Sequence, residues 1–91
     1  MSDTPKTDIE KLRNIGPKSA RMLVEIGMSS IQDLRALGSV NAYIKLKFSY
    51  PSQISLNFLW AMEAGLQGRD WRDLEDEEKQ VLKDRLVARE A

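Results

Sequence analysis

Two cations one helical turn apart, Lys18 and Arg21, follow Gly16-Pro17 in the run Leu12-Arg13-Asn14-Ile15-Gly16-Pro17-Lys18-Ser19-Ala20-Arg21-Met22-Leu23. The chemistry this spacing offers is anion binding. Pro17 suits a first helical position, where its missing N–H would be an orphan in any case. The next free amides, on Lys18 and Ser19, then point out of a helix N-terminus. They add to a partial positive charge that suits a phosphate. Gly16 lets the backbone turn sharply and come close to another group. The same residues also satisfy a plainer requirement. Ala20, Leu23 and Val24 fall on one helical face, with Met22 and Ile26 beside them, and Lys18, Arg21 and Glu25 fall on the other. That is a packing helix with a solvated side, on which Arg21 and Glu25 form a weak i,i+4 pair.

Other chemistry is scarcer. The chain of 91 residues has neither histidine nor cysteine, so the usual neutral-pH base, the commonest metal ligand and any disulfide are missing. Ser19 has no base to activate it, and no acid–base pair of carboxylates stands out. No catalytic site, cofactor or metal is expected. Fourteen Lys/Arg balance fourteen Asp/Glu, which argues against strong, non-specific coating of DNA. The charges are unevenly spread: residues 1–50 hold eight cations and five anions, residues 51–91 six and nine. That asymmetry can orient a weak encounter of the basic half with an acidic partner, or of the acidic half with a basic partner or with the basic half of a second copy. No apolar run approaches the length of a bilayer span and no signal-peptide pattern opens the chain, so a cytoplasmic protein without membrane contact is expected.

The elements that position these residues read as helices throughout. Residues 1–8 look disordered, with Asp8 as N-cap of a short helix over about Ile9–Arg13. The second helix runs from Pro17 to about Ile26 and stops at Gly27. Ser30 and Asp33 resemble a capping box for a third helix that ends at Gly38. Ser39 can cap a fourth, over about 40–47. There Ile44, Leu46, Phe48 and Tyr50 alternate with polar residues in a strand-like way, but no second strand is available to pair. Ser55 can cap a fifth helix, from Leu56 to about Leu66, that is apolar nearly all round and therefore central. Trp60 belongs to the core, Gly65 and Gly68 bracket the helix end, and Trp71 is expected to lid the core. The last helix, about Asp76 to Arg89, carries acids early and bases late, as its dipole favours, with Val81, Leu82 and Leu86 as its buried stripe. The expected fold is all-α: a compact five- to six-helix domain over residues 9–91.

The short helix, Asn-Ile-Gly turn and second helix resemble a helix-hairpin-helix, a module that grips nucleic-acid backbones. Taken with Asp33-Leu34-Arg35-Ala36-Leu37-Gly38-Ser39-Val40, Ala42-Tyr43-Ile44-Lys45-Leu46-Lys47 and Ser55-Leu56-Asn57-Phe58-Leu59-Trp60-Ala61-Met62-Glu63-Ala64-Gly65-Leu66-Gln67-Gly68, the chain resembles the C-terminal domain of the TfoX/Sxy family of competence regulators over about residues 9–87. The resemblance implies an all-helical, SAM-like domain and a link to DNA uptake and transformation in bacteria. The full regulators of that family carry a further N-terminal domain, which residues 1–8 cannot supply. Helix-hairpin-helix turns usually have glycine at both ends, and here Asn14 takes the first place. Asn tolerates a left-handed backbone better than other non-glycine residues. The resemblance thus implies Asn14 as a turn residue, with Gly16, Lys18, Ser19 and Arg21 as phosphate contacts and Lys11 and Arg13 as weaker flanking candidates. Two functions remain open: a DNA-binding or transcription-linked accessory domain, and a protein-interaction or homodimer domain working with a regulator.

Overall fold

The computed structural model describes residues 8–90, and within them the backbone is helical with no strand. Of the segment 1–8 expected to be disordered, all but Asp8 lies outside the described residues. A single 3₁₀ turn, Ile9–Lys11, stands where a short helix was expected. It is followed by α1 (Pro17–Glu25), α2 (Ile31–Leu37), α3 (Ser39–Ser49), α4 (Leu56–Leu66) and α5 (Asp76–Glu90), with a second 3₁₀ turn at Trp71–Asp73. Asp8 does not cap the turn it precedes. Its carboxylate accepts from the Ile31 N–H at 2.8 Å, so it satisfies a first-turn orphan amide of α2 instead. Ser30 caps α2 as expected, its hydroxyl accepting from the Asp33 N–H at 3.0 Å.

The core is a single cluster that takes Ile9, Leu12 and Ile15 from the hairpin, Leu23 from α1, Leu34 from α2, Leu46 from α3 and Leu59, Trp60 and Met62 from α4. Trp60 is buried, as its neighbours in the sequence required. The alternation over 44–50 does not become a strand. α3 continues to Ser49, buries Leu46, and leaves Phe48 88 % exposed. Lys47 closes the helix by donating to the carbonyls of Pro51 and Ile54 at 2.9 and 2.8 Å, which uses a cation to satisfy acceptors near a C-terminus.

Several details differ from the pattern in the sequence. Val24 and Val81 are not part of the buried faces assigned to them; they are 42 % and 48 % exposed. The stripe of α5 is narrower than expected, resting on Leu82 and Leu86. Ser39 is the first residue of α3 rather than its cap, and Gly38, at φ 93°, takes the cap position. Ser39 is buried and its hydroxyl donates to the Glu63 carboxylate at 2.6 Å. Gly65 and Gly68 bracket the end of α4 at Leu66, as expected. Gly65 has a second part to play: a Cβ there would stand 2.5 Å from the Arg13 carbonyl oxygen and 3.0 Å from Leu12 Cγ. The hairpin therefore packs backbone against backbone on α4, and only glycine leaves room for it.

Candidate nucleic-acid interface

The turn between the 3₁₀ segment and α1 depends on Asn14. Its φ is 75°, and among the described residues it is the one non-glycine with positive φ. The Ile15 N–H closes the turn onto the Leu12 carbonyl at 3.1 Å. The Asn14 side chain faces inward. Its amide donates to the carbonyls of Arg69 at 2.9 Å and Ala61 at 3.3 Å, and its oxygen accepts from the Trp71 N–H at 3.3 Å. These three bonds tie the hairpin to α4 and to the connector behind it. Its amide and its oxygen are thus both engaged within the protein.

Gly16 plays a different part from the one its sequence position suggested. Its φ of −89° and ψ of 179° are extended values open to any residue, so the sharp bend belongs to Asn14. What Gly16 contributes is bareness. A Cβ there would meet nothing within 4 Å, and no side chain caps α1. Pro17 occupies the first turn as expected. Among the described residues no backbone acceptor takes the Lys18 and Ser19 amides. Lys18 and Arg21 are exposed and Ser19 is half-buried. The expected Arg21–Glu25 pair does not form, because the Glu25 carboxylate accepts from the Tyr50 hydroxyl instead. That bond raises the Tyr50 pKa, since the phenol proton is the one shared. Among the described residues Lys18 and Arg21 have no ion-pair partner, and both stand beside an uncapped helix N-terminus. Lys11 is exposed near the turn. Arg13 is drawn aside, donating to the Gly68 carbonyl at 3.3 Å and lying 3.8 Å from Asp70.

The sequence did not point to the groove beside α1. It encloses about 280 Å³ and is lined by Asn14, Ser19, Asn57, Phe58 and Trp71. Trp71 does not lid the core; it is 39 % exposed and its ring walls this groove. The available signal was its setting, an aromatic inside the polar run Arg69-Asp70-Trp71-Arg72-Asp73. That connector is held by charge. Arg69 bridges both oxygens of Glu78 at 2.6 and 3.0 Å and also donates to the Asp73 carbonyl at 2.7 Å. Asp70 accepts from the backbone and side chain of Arg72. The Arg72 guanidinium pulls the Asp70 carboxyl down to about 2. The Arg69 guanidinium, helped by the Glu75 N–H, holds Glu78 at about 2 as well.

The geometry defines a class: an all-helical domain whose N-terminal hairpin is locked onto a central helix and whose exposed rim offers bare amides and exposed cations. Comparison with known proteins gives the family. The TfoX C-terminal domain matches residues 5–86, and the chain belongs to that family. It is 32 % identical over 78 residues to the DNA transformation protein TfoX of Haemophilus influenzae, a match that takes in 86 % of this chain and 36 % of that protein. The chain thus spans about a third of the length of that relative. A crystal structure of an uncharacterized protein from Listeria monocytogenes superposes with a TM-score of 0.77 at 27 % identity, covering 90 % of this chain and 92 % of the other. Among the described residues no helix is long and apolar enough to cross a membrane.

Proposed function

We propose that this domain holds the phosphate backbone of DNA through its hairpin, as an accessory domain linked to transcription or to DNA transformation. The observation that carries the reading is the uncapped N-terminus of α1, flanked by two exposed cations that have no ion-pair partner among the described residues. Gly16 leaves room for a phosphate to approach. The amides of Lys18 and Ser19 donate to it, and Lys18 and Arg21 supply full charges. Asn14 takes no part in contact and sets the turn. The name of the Haemophilus influenzae relative, a DNA transformation protein, supports the same direction. The function is one of binding, carried out in the cytoplasm, and calls for no catalytic step. The contacts are few, so the binding is weak and largely independent of sequence.

Fluorescence anisotropy with labelled duplex DNA at low and moderate salt tests the reading. The expected result is an affinity that falls as salt rises, with a slope that steepens by about 0.9 for each phosphate neutralised. Lys18→Glu with Arg21→Glu should weaken binding about tenfold or more and flatten the slope. An affinity untouched by both changes would make the hairpin a packing device.

A second reading has its own observation. Phe48 projects from α3 beside the half-buried Ile26 and Ile44, an apolar group that a monomer leaves in water. On this reading the domain associates with a second copy or a regulator protein. Sedimentation of the wild type and Phe48→Asp checks it: a concentration-dependent mass that the substitution abolishes supports association, and a monomer throughout disposes of self-association.

A further inference from the structure

Among the described residues three of the chain's seven arginines, Arg13, Arg69 and Arg72, form ion pairs. Of the four that do not, Arg35, Arg85 and Arg89 line one cavity of about 430 Å³. We propose that this cavity binds the phosphate group of a small organic phosphomonoester. The site shares no element with the hairpin, so it stands or falls independently of DNA binding there.

The three guanidiniums come from two elements, each packed against a third, α3. Arg35 extends from α2, while Arg85 and Arg89 lie four residues apart on α5. Between them lies the first turn of α3, Gly38 to Asn41. No side chain caps that turn. Gly38 stands at φ 93°, and a Cβ there would meet nothing within 4 Å, so the approach to the α3 amides is open. Arg35 is oriented by the Leu66 carbonyl at 3.3 Å and Arg89 by the Asn41 side-chain oxygen at 3.0 Å. Each bond engages one guanidinium nitrogen of several and leaves donors over.

The charge in the wall is unbalanced. Its one carboxylate, Glu63, is occupied on both oxygens, by the Ser39 hydroxyl and the Gln67 amide, each at 2.6 Å. No arginine lies within ion-pair distance of it. Three guanidiniums against one carboxylate leave an excess of two positive charges. Like charges gathered this way repel unless an anion sits among them. A phosphomonoester carries about −1.5 to −2 at neutral pH and presents three acceptor oxygens, which matches both the excess and the donors. A carboxylate or a backbone phosphodiester brings a single charge. The guanidinium fork suits phosphate geometry. Leu37 and Leu66 add apolar wall for an organic body, and the volume lies within the range of small-ligand sites.

A nitrogen–proton NMR titration of the whole chain with inorganic phosphate, AMP and a duplex oligonucleotide tests the assignment. Inorganic phosphate and AMP should both shift the Gly38–Asn41 amides, with AMP binding in the millimolar range or tighter. The response should weaken as pH falls through about 6, where the monoester regains its second proton. Arg85→Glu with Arg89→Glu, both on the exposed side of α5, should weaken AMP binding about tenfold or more. Arg35→Gln should weaken it independently should the double variant misfold. Lys18→Glu with Arg21→Glu should leave it unchanged. Amides that do not move with either phosphate, shifts that survive loss of the arginines, or shifts produced by the duplex and not by the monoester would each overturn the proposal.

Discussion

The hairpin and the C-terminal helix are both fastened to the middle of the molecule, but by opposite means. The hairpin is held by shape. Ile9, Leu12 and Ile15 are buried, the Arg13 carbonyl lies against Gly65 with no room for a side chain, and Asn14 makes three hydrogen bonds inward. Among the residues of α5 whose burial is described only Leu82 and Leu86 are buried, and the helix otherwise depends on charge: Arg69 on Glu78, Arg89 on Asn41, and the Lys79 ammonium 5.7 Å from the Trp60 ring. Close packing is intolerant of added volume. Exposed ion pairs contribute little and give way to salt and acid. The rim that presents Lys18 and Arg21 is therefore set rigidly, while the helix that carries Arg85 and Arg89 is set softly.

Gly65→Ala should break this contrast most sharply. The added Cβ meets a backbone carbonyl, which cannot rotate away, so the hairpin must lift from α4. We expect a loss of about 3–4 kcal/mol and a fall in melting temperature of more than about 10 °C, measured by thermal denaturation. A change within the error of wild type would mean the junction is loose. Asn14 gives the next effect and divides it in two. Asn14→Ala loses the three inward bonds and places alanine at φ 75°, for about 3 kcal/mol. Asn14→Gly loses the bonds but keeps the backbone at ease, for about 2 kcal/mol. Urea titrations of the pair should show the glycine variant as the more stable; the reverse order would mean the left-handed turn is not what Asn14 supplies.

The charged fastening yields the smallest effect, and it appears in acid. Asp70 and Glu78 are held at about 2, below their ordinary 3.8 and 4.5. Carboxyls depressed by folding contribute stability that is present above their unfolded values and lost as pH falls through the folded ones. Stability should therefore decline between about pH 4 and about pH 2. Asp70→Asn with Glu78→Gln should flatten that limb in pH-resolved denaturation. An unchanged limb would place the acid sensitivity on other carboxyls.

Much of the hairpin was legible from its residues, and the reasons are local. Pro17 at a helix start, the cap at Ser30 and the tolerance of Asn14 for a left-handed backbone all follow from one or two neighbouring residues. What Asn14 does with its side chain was not legible, because its partners lie 47, 55 and 57 residues away. Gly65 was legible as a residue at the end of α4 but not as a point of contact, because the backbone that lies against it comes from Arg13 at the other end of the chain. The stripe of α5 was drawn too wide at Val81 because a mostly polar helix with few apolar residues leaves its register open. The three-arginine wall had no sequence signature either, since Arg35 is 50 residues from Arg85.

The two tryptophans have a spectroscopic consequence. Trp60 is sealed in the core, whereas Trp71 opens onto water from the groove that it shares with Ser19 in the first turn of α1. The chain therefore carries its own pair of optical probes, an inner one that reports unfolding and an outer one that reports events at the hairpin. A ligand settling at α1 changes the surroundings of the second and leaves the first dark to it, so occupancy and denaturation can be told apart by emission colour in one unlabelled sample.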